Sequence, residues 1–508
     1  MWFVRWLFLF VAAGRCWSEN FTFPVPDRSK ELNRTHWRDL AANEIQSRLA
    51  REPTKSKARN VVIFLGDGMG PSTVTAARIY KGQRRSKQSG EEGTLVWDNF
   101  PHVSLSRTYG LDVQTSDSAN TATAYLCGVK ANYQTLGVDH RVKSGECHSD
   151  KSTHVSSIMT WAQKEGLWTG IVTTTRVTHA TPAGTYAHSG HRWWEASVPK
   201  KCSLNDTKDI AQQLVQDSPG SNFRVILGGG RRNFINSTEK DEEGLPGIRK
   251  DGKNLIDEWK KSKTGKGNHT YIWNRKQLLS VNPLKTDYLL GLVANDHLPY
   301  VLEQENSTTS APTLQEMAET AIKILKRSPK GFVLLVEGGL IDRGHHINKA
   351  SYALEEAVGL DESVSSALEL LDVKETLMVV TADHSHVFTM GGYPERGKDI
   401  LGVSSFSDVN HYPVTTLAYG NGPGYNETKA NYTDAETTRP GFSQRSAFPL
   451  RRDTHGGEEV AVYAVGPWAH LFSGVHDQSY IPHAIAYAAC IGQFSGARCH
   501  TATESLKS

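Results

Sequence analysis

The sequence predicts an α/β fold with a large, mostly parallel central sheet flanked by helices. Five short apolar runs, at 61–65, 170–172, 225–227, 332–336 and 377–380, show no alternation with polar residues. Such runs are typical of strands that are buried on both faces of a parallel sheet. Helix-forming stretches such as 314–326 and 352–371 lie between runs, and this alternation builds βαβ units. Because ligands of such sheets bind beyond the carboxyl ends of the strands, the residues that follow these runs are the candidate functional residues.

The N-terminal region is predicted to hold a secretory signal and a helical arm. Residues 1–18, MWFVRWLFLFVAAGRCWS, combine an early cation with an apolar run that is too short to span a membrane. Residues 19–53 include a helix whose cap is predicted at Thr35. This helix precedes the core, so it can pack on a partner subunit or on its own domain, and the sequence leaves both arrangements open.

The rest of the chain is assigned to one α/β domain with an insertion. The length of 508 residues permits about two to four domains, but a single α/β domain with insertions can also reach it. Residues 391–453 are rich in Gly, Pro, Asn and Ser and lack apolar periodicity, so they predict an insertion standing on the main sheet. The domain then comprises 54–390 and 454–500. Residues 501–508 form a tail, in which no transmembrane segment or anchor signal is visible.

The charge balance argues against nucleic acid as a partner. Lys and Arg total 57 against 54 for Asp and Glu, which gives a formal net charge of +3, and no long basic block interrupts this balance. Eight N-x-S/T sequons behind a predicted signal instead indicate a secreted, glycosylated protein. The sequons are at Asn20, Asn33, Asn205, Asn236, Asn268, Asn306, Asn426 and Asn431.

The cysteines are expected to form two disulfides in an oxidising compartment. Five cysteines follow the predicted signal. Cys490 and Cys499 are close in sequence and are predicted to pair with each other, which leaves Cys147 to pair with Cys202. Cys127, in a run of small residues, is then a buried free thiol. The alternative is that all five thiols are reduced.

Acidic and imidazole side chains follow three of the apolar runs. Asp67 follows the first run, Glu337 and Asp342 follow the fourth, and Asp383 and His384 follow the last. A carboxylate without water is costly unless it is paired or holds a metal. For any one of these acids a helix cap or an ion pair is the simpler explanation. Taken together at successive strand ends, they predict a divalent metal centre.

The spacing of the ligands indicates which metals fit. Asp342 and His346 are four residues apart, so they project from one face of a helical turn and can share an ion. Mixed imidazole and carboxylate ligands are typical of zinc. An all-oxygen set such as Asp67, Glu337 and a hydroxyl suits magnesium instead.

A candidate nucleophile precedes a helix-forming run in SDSANTATAYL. Ser118 is predicted near the N-terminus of this helix, where the partial positive charge attracts phosphate and favours a deprotonated hydroxyl. A serine that only caps the helix explains this segment equally well.

Six motifs together closely resemble those of animal alkaline phosphatases. They are GDGMG, DSANTATAYLCGVK, TRVTHATPAGTYAH, VEGGLIDRGHH, TADHSHVF and THGGEEVAV, in the order that the family has. The resemblance implies the family's α/β fold, with 391–453 as its crown-like region, and a homodimer. It also implies hydrolysis of small-molecule phosphate monoesters through a phosphoserine, with two zinc ions and one magnesium ion.

The resemblance also implies a role for each candidate residue. Ser118 corresponds to the phosphate acceptor, Arg192 to the arginine that clamps phosphate, and His179 to a position near magnesium. The implied ligands are Asp342, His346 and His455 for the first zinc, Asp67, Asp383, His384 and Ser118 for the second, and Asp67, Thr181 and Glu337 for magnesium.

Two departures from the family pattern bear on function. Arg343 stands where vertebrate members carry histidine, and Leu340 stands where they carry arginine. A permanent cation at Arg343 is expected to strengthen the attraction for phosphate. Ala294 and Ala311 replace the acids of a fourth, calcium-type site of many animal members, so we do not expect that site to bind an ion.

Three other functions are compatible with parts of the sequence. GDGMG is a weak dinucleotide motif, because its third glycine is misplaced. A phosphodiesterase or sulfatase could use the same metal-bearing sheet, but Ser118 within DSANTAT and the single Arg192 favour monoesters. A catalytically inactive extracellular binding protein is disfavoured because every ligand position is filled.

Overall fold

A ten-stranded sheet forms the centre of the fold and confirms the predicted α/β class. The computed structural model describes residues 22–25, 27–147, 150–203, 207–304, 310–426 and 431–499, so the predicted signal and C-terminal tail lie outside the described residues. The strands, in order across the sheet, are β17 (Gly474–Asp477), β2 (His102–Arg107), β16 (Val460–Val465), β8 (Thr376–Ala382), β1 (Asn60–Gly66), β7 (Phe332–Gly338), β3 (Trp168–Arg176), β4 (Val225–Gly229), β6 (Tyr288–Leu292) and β5 (His269–Ile272).

The sheet is parallel except at one strand. β16 is antiparallel to its neighbours β2 and β8, whereas the other adjacent pairs are parallel. All five predicted apolar runs lie within strands of this sheet. Val61 and Ile63 of β1 pack into one hydrophobic core, and Val62 and Phe64 pack into another on the opposite face. This two-sided burial is why the runs contain no alternating polar residues.

Helices cover both faces of the sheet, and the two helices predicted from the sequence are confirmed to within about two residues. Thr313 and Glu316 form a capping box that starts α10. The α-helices are α1 (Arg34–Leu49), α2 (Pro71–Lys81), α3 (Ser118–Cys127), α4 (Ile158–Lys164), α5 (Ala180–Ala183), α6 (Lys200–Ser203), α7 (Ile210–Gln216), α8 (Leu255–Lys263), α9 (Arg275–Ser280), α10 (Leu314–Leu325), α11 (Leu340–His346), α12 (Ala350–Leu370), α13 (Asp434–Thr437) and α14 (Tyr480–Ala489).

The predicted cap of the N-terminal helix is wrong. α1 is capped by Asn33, whose Oδ1 accepts a hydrogen bond from the N–H of Thr35 at 3.0 Å. Thr35 is therefore inside the first turn. Asparagine and threonine both cap helices well, and the side chain of Asn33 accepts from a free N–H of the first turn. No residue of α1 is buried in this chain, so the helix is not packed into its own domain.

Small strands follow the main sheet between β8 and β16. β9 (Ser385–His386) pairs with β15 (His455–Gly456), which brings these two histidines side by side. β10 (Phe388–Met390), β13 (Leu417–Gly422) and β14 (Ser446–Pro449) form a three-stranded sheet, and β11 (Val403–Phe406) pairs with β12 (Pro413–Thr415). The segment 391–453 thus has a local structure of its own beside the carboxyl edge of the main sheet.

The predicted cysteine pairing is confirmed. Cys147 is bonded to Cys202 and Cys490 is bonded to Cys499. Cys127 is a buried free thiol, and burial raises its pKa to about 12. Within the described parts of the chain, we find no helix with the length and apolar character that a membrane span requires.

We expect the two disulfides to differ in their contribution to stability. The Cys147–Cys202 bond closes a loop with a sequence separation of 55, against 9 for Cys490–Cys499. Loop-closure entropy predicts losses of about 4 and about 3 kcal/mol when each pair is replaced by serine. Urea unfolding followed by tryptophan fluorescence measures both losses, and a larger loss for the 490/499 variant would contradict this ranking.

Candidate active site

The carboxyl ends of three adjacent strands bring the predicted acids together. Asp67 follows β1, Asp383 follows β8, and Glu337 is the last residue but one of β7. These strands are neighbours in the order β8, β1, β7, and their ends are in register. All three carboxylates are fully buried. The sheet topology therefore produces the convergence that the sequence pattern predicted.

One cluster of possible ligands surrounds Asp342 on α11. His346 Nε2 lies 3.3 Å from Asp342 Oδ1, and His455 Nε2 lies 3.4 Å from the same oxygen. His386 Nε2 lies 2.8 Å from it. The four residues offer ligand atoms within 4.8 Å of one another, a spacing that can hold a metal ion.

Backbone carbonyls determine the tautomers of two of these histidines. His455 Nδ1 is 2.7 Å from the carbonyl oxygen of Ser116, and His346 Nδ1 is 2.9 Å from that of Asp453. A carbonyl oxygen only accepts, so each Nδ1 donates its proton there and each Nε2 faces Asp342. This orientation is the one in which the Nε2 of a histidine can bind a metal.

His386 differs, because the described structure places a carboxylate against each of its ring nitrogens and a backbone carbonyl against neither. Nε2 contacts Asp342, and Nδ1 lies 3.0 Å from Asp453 Oδ1. Burial opposes a charge on this ring, but the two carboxylates raise the pKa of His386 to about 10. In the metal-free protein His386 is therefore a cation that orients Asp342. Its place is not evident from the sequence, where it is merely the second histidine of TADHSHVF.

A second cluster joins Asp67, Asp383 and His384. His384 Nε2 lies 3.2 Å from Asp383 Oδ2 and 3.6 Å from Asp67 Oδ1, and its Nδ1 faces the carbonyl of Ser385 at 3.2 Å. Ser118 Oγ is 3.2 Å from His384 Nε2 and 3.5 Å from Asp67 Oδ1. The candidate nucleophile therefore lies at the edge of this cluster.

Ser118 is the first residue of α3, as the sequence predicted. Asp117 caps the helix and accepts from the N–H groups of Ala119 and Asn120. The run of small residues after it allows the helix to be buried along its whole length. The hydroxyl is thus held at the positive end of a buried helix dipole, where an anion is stabilised.

A third cluster lies on the other side of Asp67. Asp67, His179 and Glu337 offer ligand atoms within 4.8 Å of one another. Glu337 Oε2 accepts a hydrogen bond from Thr173. Thr181, the second residue of α5, is also fully buried. These side chains provide mainly oxygen atoms.

Without a cation the buried acids repel each other. Burial, together with the charges of Asp383 and Asp342, raises the pKa of Asp67 well above its usual range. Burial also raises the pKa of Glu337 to about 7 and that of Asp383 to about 6. Asp342 is the exception: burial acts to raise its pKa, but in the metal-free protein the adjacent imidazole rings, the charged His386 among them, lower it well below its usual range.

Arg192 is oriented beside Ser118 by an acid that the sequence analysis did not assign to it. Its Nη1 donates to Asp117 Oδ2 at 2.8 Å, and its Nη2 lies 3.1 Å from His179 Nε2. Burial opposes the charge, but Asp117 raises the pKa of Arg192 further. Asp117 thus caps the helix that presents Ser118 and aligns the guanidinium, and so couples the two groups.

Arg343 lies on α11 between Asp342 and the metal-capable histidines. Its side chain is half-buried, and it forms no hydrogen bond or ion pair with any other residue that the structure describes. Burial lowers the pKa of His179 well below its usual value, and the charges of Arg192, Arg176 and Arg343 act in the same direction. A guanidinium without a protein partner at this edge is available to an anion.

The residues present fit bound metal ions. Asp67 Oδ2, Glu337 Oε1 and Thr181 Oγ1 are buried and form no hydrogen bond of normal geometry within the described chain. Such atoms are costly, and a cation between them removes the cost. The imidazole and carboxylate sets around Asp342 and His384 are of the kind that zinc prefers, and the oxygen set around Glu337 suits magnesium.

Metal-capable clusters beside a buried serine at the start of a helix are typical of a metal-dependent hydrolase. The comparisons with known proteins give the family. The alkaline phosphatase family model matches residues 58–491. The chain is 50% identical over 469 residues to an alkaline phosphatase of Gadus morhua, which covers 90% of this chain and 97% of that protein. It is 46% identical over 497 residues to the tissue-nonspecific isozyme of Homo sapiens, covering 96% and 93%.

A solved structure agrees with this result. The cold-active alkaline phosphatase of Shewanella sp. aligns with a TM-score of 0.60 at 25% identity, over 85% of this chain and 99% of that one. The chain belongs to the alkaline phosphatase family and is a phosphoric monoester hydrolase. The family implies metal cofactors, and the clusters described above can hold them.

We expect Glu337→Gln to stabilise the metal-free protein at pH 8. The pKa of Glu337 is about 7 in the folded state against a usual 4.5, so the folded state binds a proton that the unfolded state has released. Its contribution to the free energy of unfolding therefore falls as pH rises from about 4.5 to about 7. A neutral glutamine avoids this loss.

Thermal unfolding in chelator at pH 5 and pH 8 measures the effect. The variant should gain stability over the parent protein at pH 8 and much less at pH 5. The same variant loaded with zinc and magnesium is the control, and it should lose stability because a ligand is missing. A variant that is less stable than its parent in chelator at pH 8 would contradict the assignment of a buried, uncompensated charge.

Proposed function

We propose that this alkaline phosphatase works through a phosphoserine on Ser118. Ser118 Oγ attacks phosphorus, the bond from phosphorus to the leaving alcohol breaks, and a water then cleaves the phosphoserine to release inorganic phosphate. The observation that carries the proposal is the position of Ser118, 3.2 Å from His384 Nε2 and at the start of a buried helix. Because the hydroxyl must lose its proton, activity is expected to rise toward basic pH.

Arg192 is proposed to bind the phosphoryl group. Asp117 and His179 occupy one N–H each on its two terminal nitrogens, and the guanidinium has five donors in all. The remaining donors can grip two phosphoryl oxygens in a planar fork, which a lysine cannot do. The fixed partners hold the fork in position before the substrate arrives, which lowers the entropy cost of binding.

Two zinc ions and one magnesium ion are proposed as the cofactors. When bound, zinc ions stabilise negative charge on the attacking and leaving oxygens of an in-line displacement. The protein's part is to fix the ligand atoms, which it does through the carbonyl-bound Nδ1 atoms of three histidines and through His386. The proposed ligands are Asp342, His346 and His455 for one zinc, Asp67, Asp383, His384 and Ser118 for the other, and Asp67, Thr181 and Glu337 for magnesium.

A fourth, calcium-type ion is not part of the proposal. Ala294 and Ala311 line a cavity together with Glu243, and neither alanine can ligate an ion. Glu243 pairs with the fully buried Arg231. Arg231 also pairs with Asp241 at 3.0 Å. The single arginine thus compensates part of the charge of these acids.

A homodimer is proposed from the surface that one chain leaves exposed. α1 carries several exposed apolar side chains, among them Trp37, Leu40 and Ile45, and buries none of its residues. Tyr393 is 99% exposed beside the short strands above the sheet. Exposed apolar groups at this density favour a protein interface, and the N-terminal helix is suited to be an arm on a second copy.

Secretion and glycosylation complete the proposal. Two disulfides are typical of an oxidising compartment. Four of the sequon asparagines in the described chain, Asn33, Asn268, Asn426 and Asn431, are exposed, and Asn236 is half-buried. A glycosyltransferase could therefore reach most of these sites.

Ser118→Ala should abolish turnover of p-nitrophenyl phosphate and the formation of phosphoserine. Trapping with labelled phosphate at acid pH, followed by peptide mapping, identifies the acceptor residue. The parent protein should lose the activity in chelator and regain it with zinc and magnesium. A phosphorylated residue in the Ser118→Ala protein, with Michaelis kinetics like those of the parent, would refute the assignment.

Arg343→His should weaken product inhibition by phosphate. Arg343 has no protein partner in the described structure, so its charge is free to attract the anion, whereas a histidine is largely neutral at basic pH. The expected rise in the inhibition constant is about two- to tenfold, as for a partly exposed charged contact. Equal inhibition constants for the two proteins at pH 9 would remove this role.

Charged substitutions in the arm should separate the dimer. Trp37→Asp combined with Ile45→Asp replaces two exposed apolar side chains of α1 with acids, and sedimentation velocity should then show a shift from dimer toward monomer. Leu284→Asp, at another exposed apolar site, is the matched control and should remain dimeric. A monomeric parent protein would contradict the proposal.

A further inference from the structure

Two adjacent tryptophans follow the phosphate-binding arginine, and they differ in burial. Trp194 is 7% exposed, and its ring stacks near His191 at a centroid distance of 6.2 Å. Trp193 is 55% exposed, although it lies in a segment whose next residues are buried. An exposed indole beside an arginine that binds the substrate is a candidate contact for the substrate, because a large flat aromatic face is suited to stacking.

The position of the Trp193 ring is fixed relative to the phosphate site. The guanidinium carbon of Arg192 lies 5.7 Å from the centroid of the Trp193 ring. The main chain is held on both sides, since Arg192 N donates to Gln134 O at 2.9 Å and Trp193 N donates to His191 Nδ1 at 3.1 Å. The backbone that carries the indole is therefore held in place next to the group that is proposed to bind the phosphoryl oxygens.

We propose that Trp193 forms a subsite for planar aromatic leaving groups of phosphate monoesters. This inference rests on the proposed role of Arg192. The phosphate of a bound substrate contacts Arg192, so a planar leaving group that extends from it toward solvent is within reach of the exposed indole of Trp193. An indole face at this distance stacks on an aryl ring or a nucleobase, whereas an aliphatic leaving group gains little from it.

A competing role for the same ring is to position Arg192 through the cation–π contact. That role acts on the phosphate group, which every substrate shares, so its loss would affect all monoesters and inorganic phosphate alike. A leaving-group subsite acts only on substrates with a planar group. The two roles are therefore distinguished by a ratio of specificity constants.

The test compares Trp193→Ala, Trp193→Phe and the parent holoenzyme with p-nitrophenyl phosphate, adenosine monophosphate and glycerol 2-phosphate. For Trp193→Ala the ratio of kcat/KM for each aromatic substrate to that for glycerol 2-phosphate should fall about three- to tenfold. Trp193→Phe should restore most of the ratio, because phenylalanine keeps a stacking face. Leu284→Ala removes an exposed apolar side chain that precedes β6, away from the carboxyl edge, and should leave the ratio unchanged.

Two results for Trp193→Ala would overturn the subsite. One is an unchanged ratio of kcat/KM between the aromatic substrates and glycerol 2-phosphate. The other is an equal loss of kcat/KM for all three substrates together with weaker inhibition by phosphate. Either outcome leaves the proposed phosphoserine mechanism in place, provided the parent enzyme still turns over and forms phosphoserine on Ser118. Circular dichroism and the unfolding temperature of the variants show that a changed ratio reflects binding and not misfolding.

Discussion

Four carboxylates buried at one edge of the sheet are the constraint on which the site depends. They are Asp67, Glu337, Asp342 and Asp383. Parallel strands in register bring them to this edge. Because the carboxylates are buried and close together, neither water nor separation weakens their repulsion. The nearby cations are mostly committed, since His386 lies between Asp342 and Asp453, and Arg192 is held by Asp117. Divalent ions can supply the missing positive charge, whereas in the metal-free protein the acids respond by protonation, as the raised pKa values of Asp67, Glu337 and Asp383 indicate.

The imidazoles of the site divide into two sets according to their hydrogen bonds. His346, His384 and His455 give their Nδ1 protons to backbone carbonyls and turn their Nε2 toward the cluster. His386 has a carboxylate on each nitrogen and is charged. A proposed metal ligand, His384, and a positioning cation, His386, are thus only two residues apart in the chain. Asp117 links the remaining parts, because it caps the helix of Ser118 and aligns Arg192.

The sequence predicts those features that depend on local pattern. Continuous apolar runs identified the central strands, since burial on both faces leaves no polar alternation. β2 and β16 gave no such signal, because their residues alternate between buried and more exposed positions. The spacing of Asp342 and His346 predicted a shared helical face, and the small residues after Ser118 predicted its helix. The role of His386 could not be predicted from the sequence. It depends on a contact with Asp453, a residue distant in sequence that only the folded chain brings next to it.

Anomalous diffraction at the zinc edge from crystals of the native enzyme tests the central claim most directly. Two strong peaks are predicted, one among Asp342, His346 and His455 and one among Asp67, Asp383 and His384. A weaker site of electron density without a zinc signal is predicted beside Glu337 and Thr181. A fully active enzyme whose crystals show no zinc peak at these side chains, or show zinc bound elsewhere, would contradict the account.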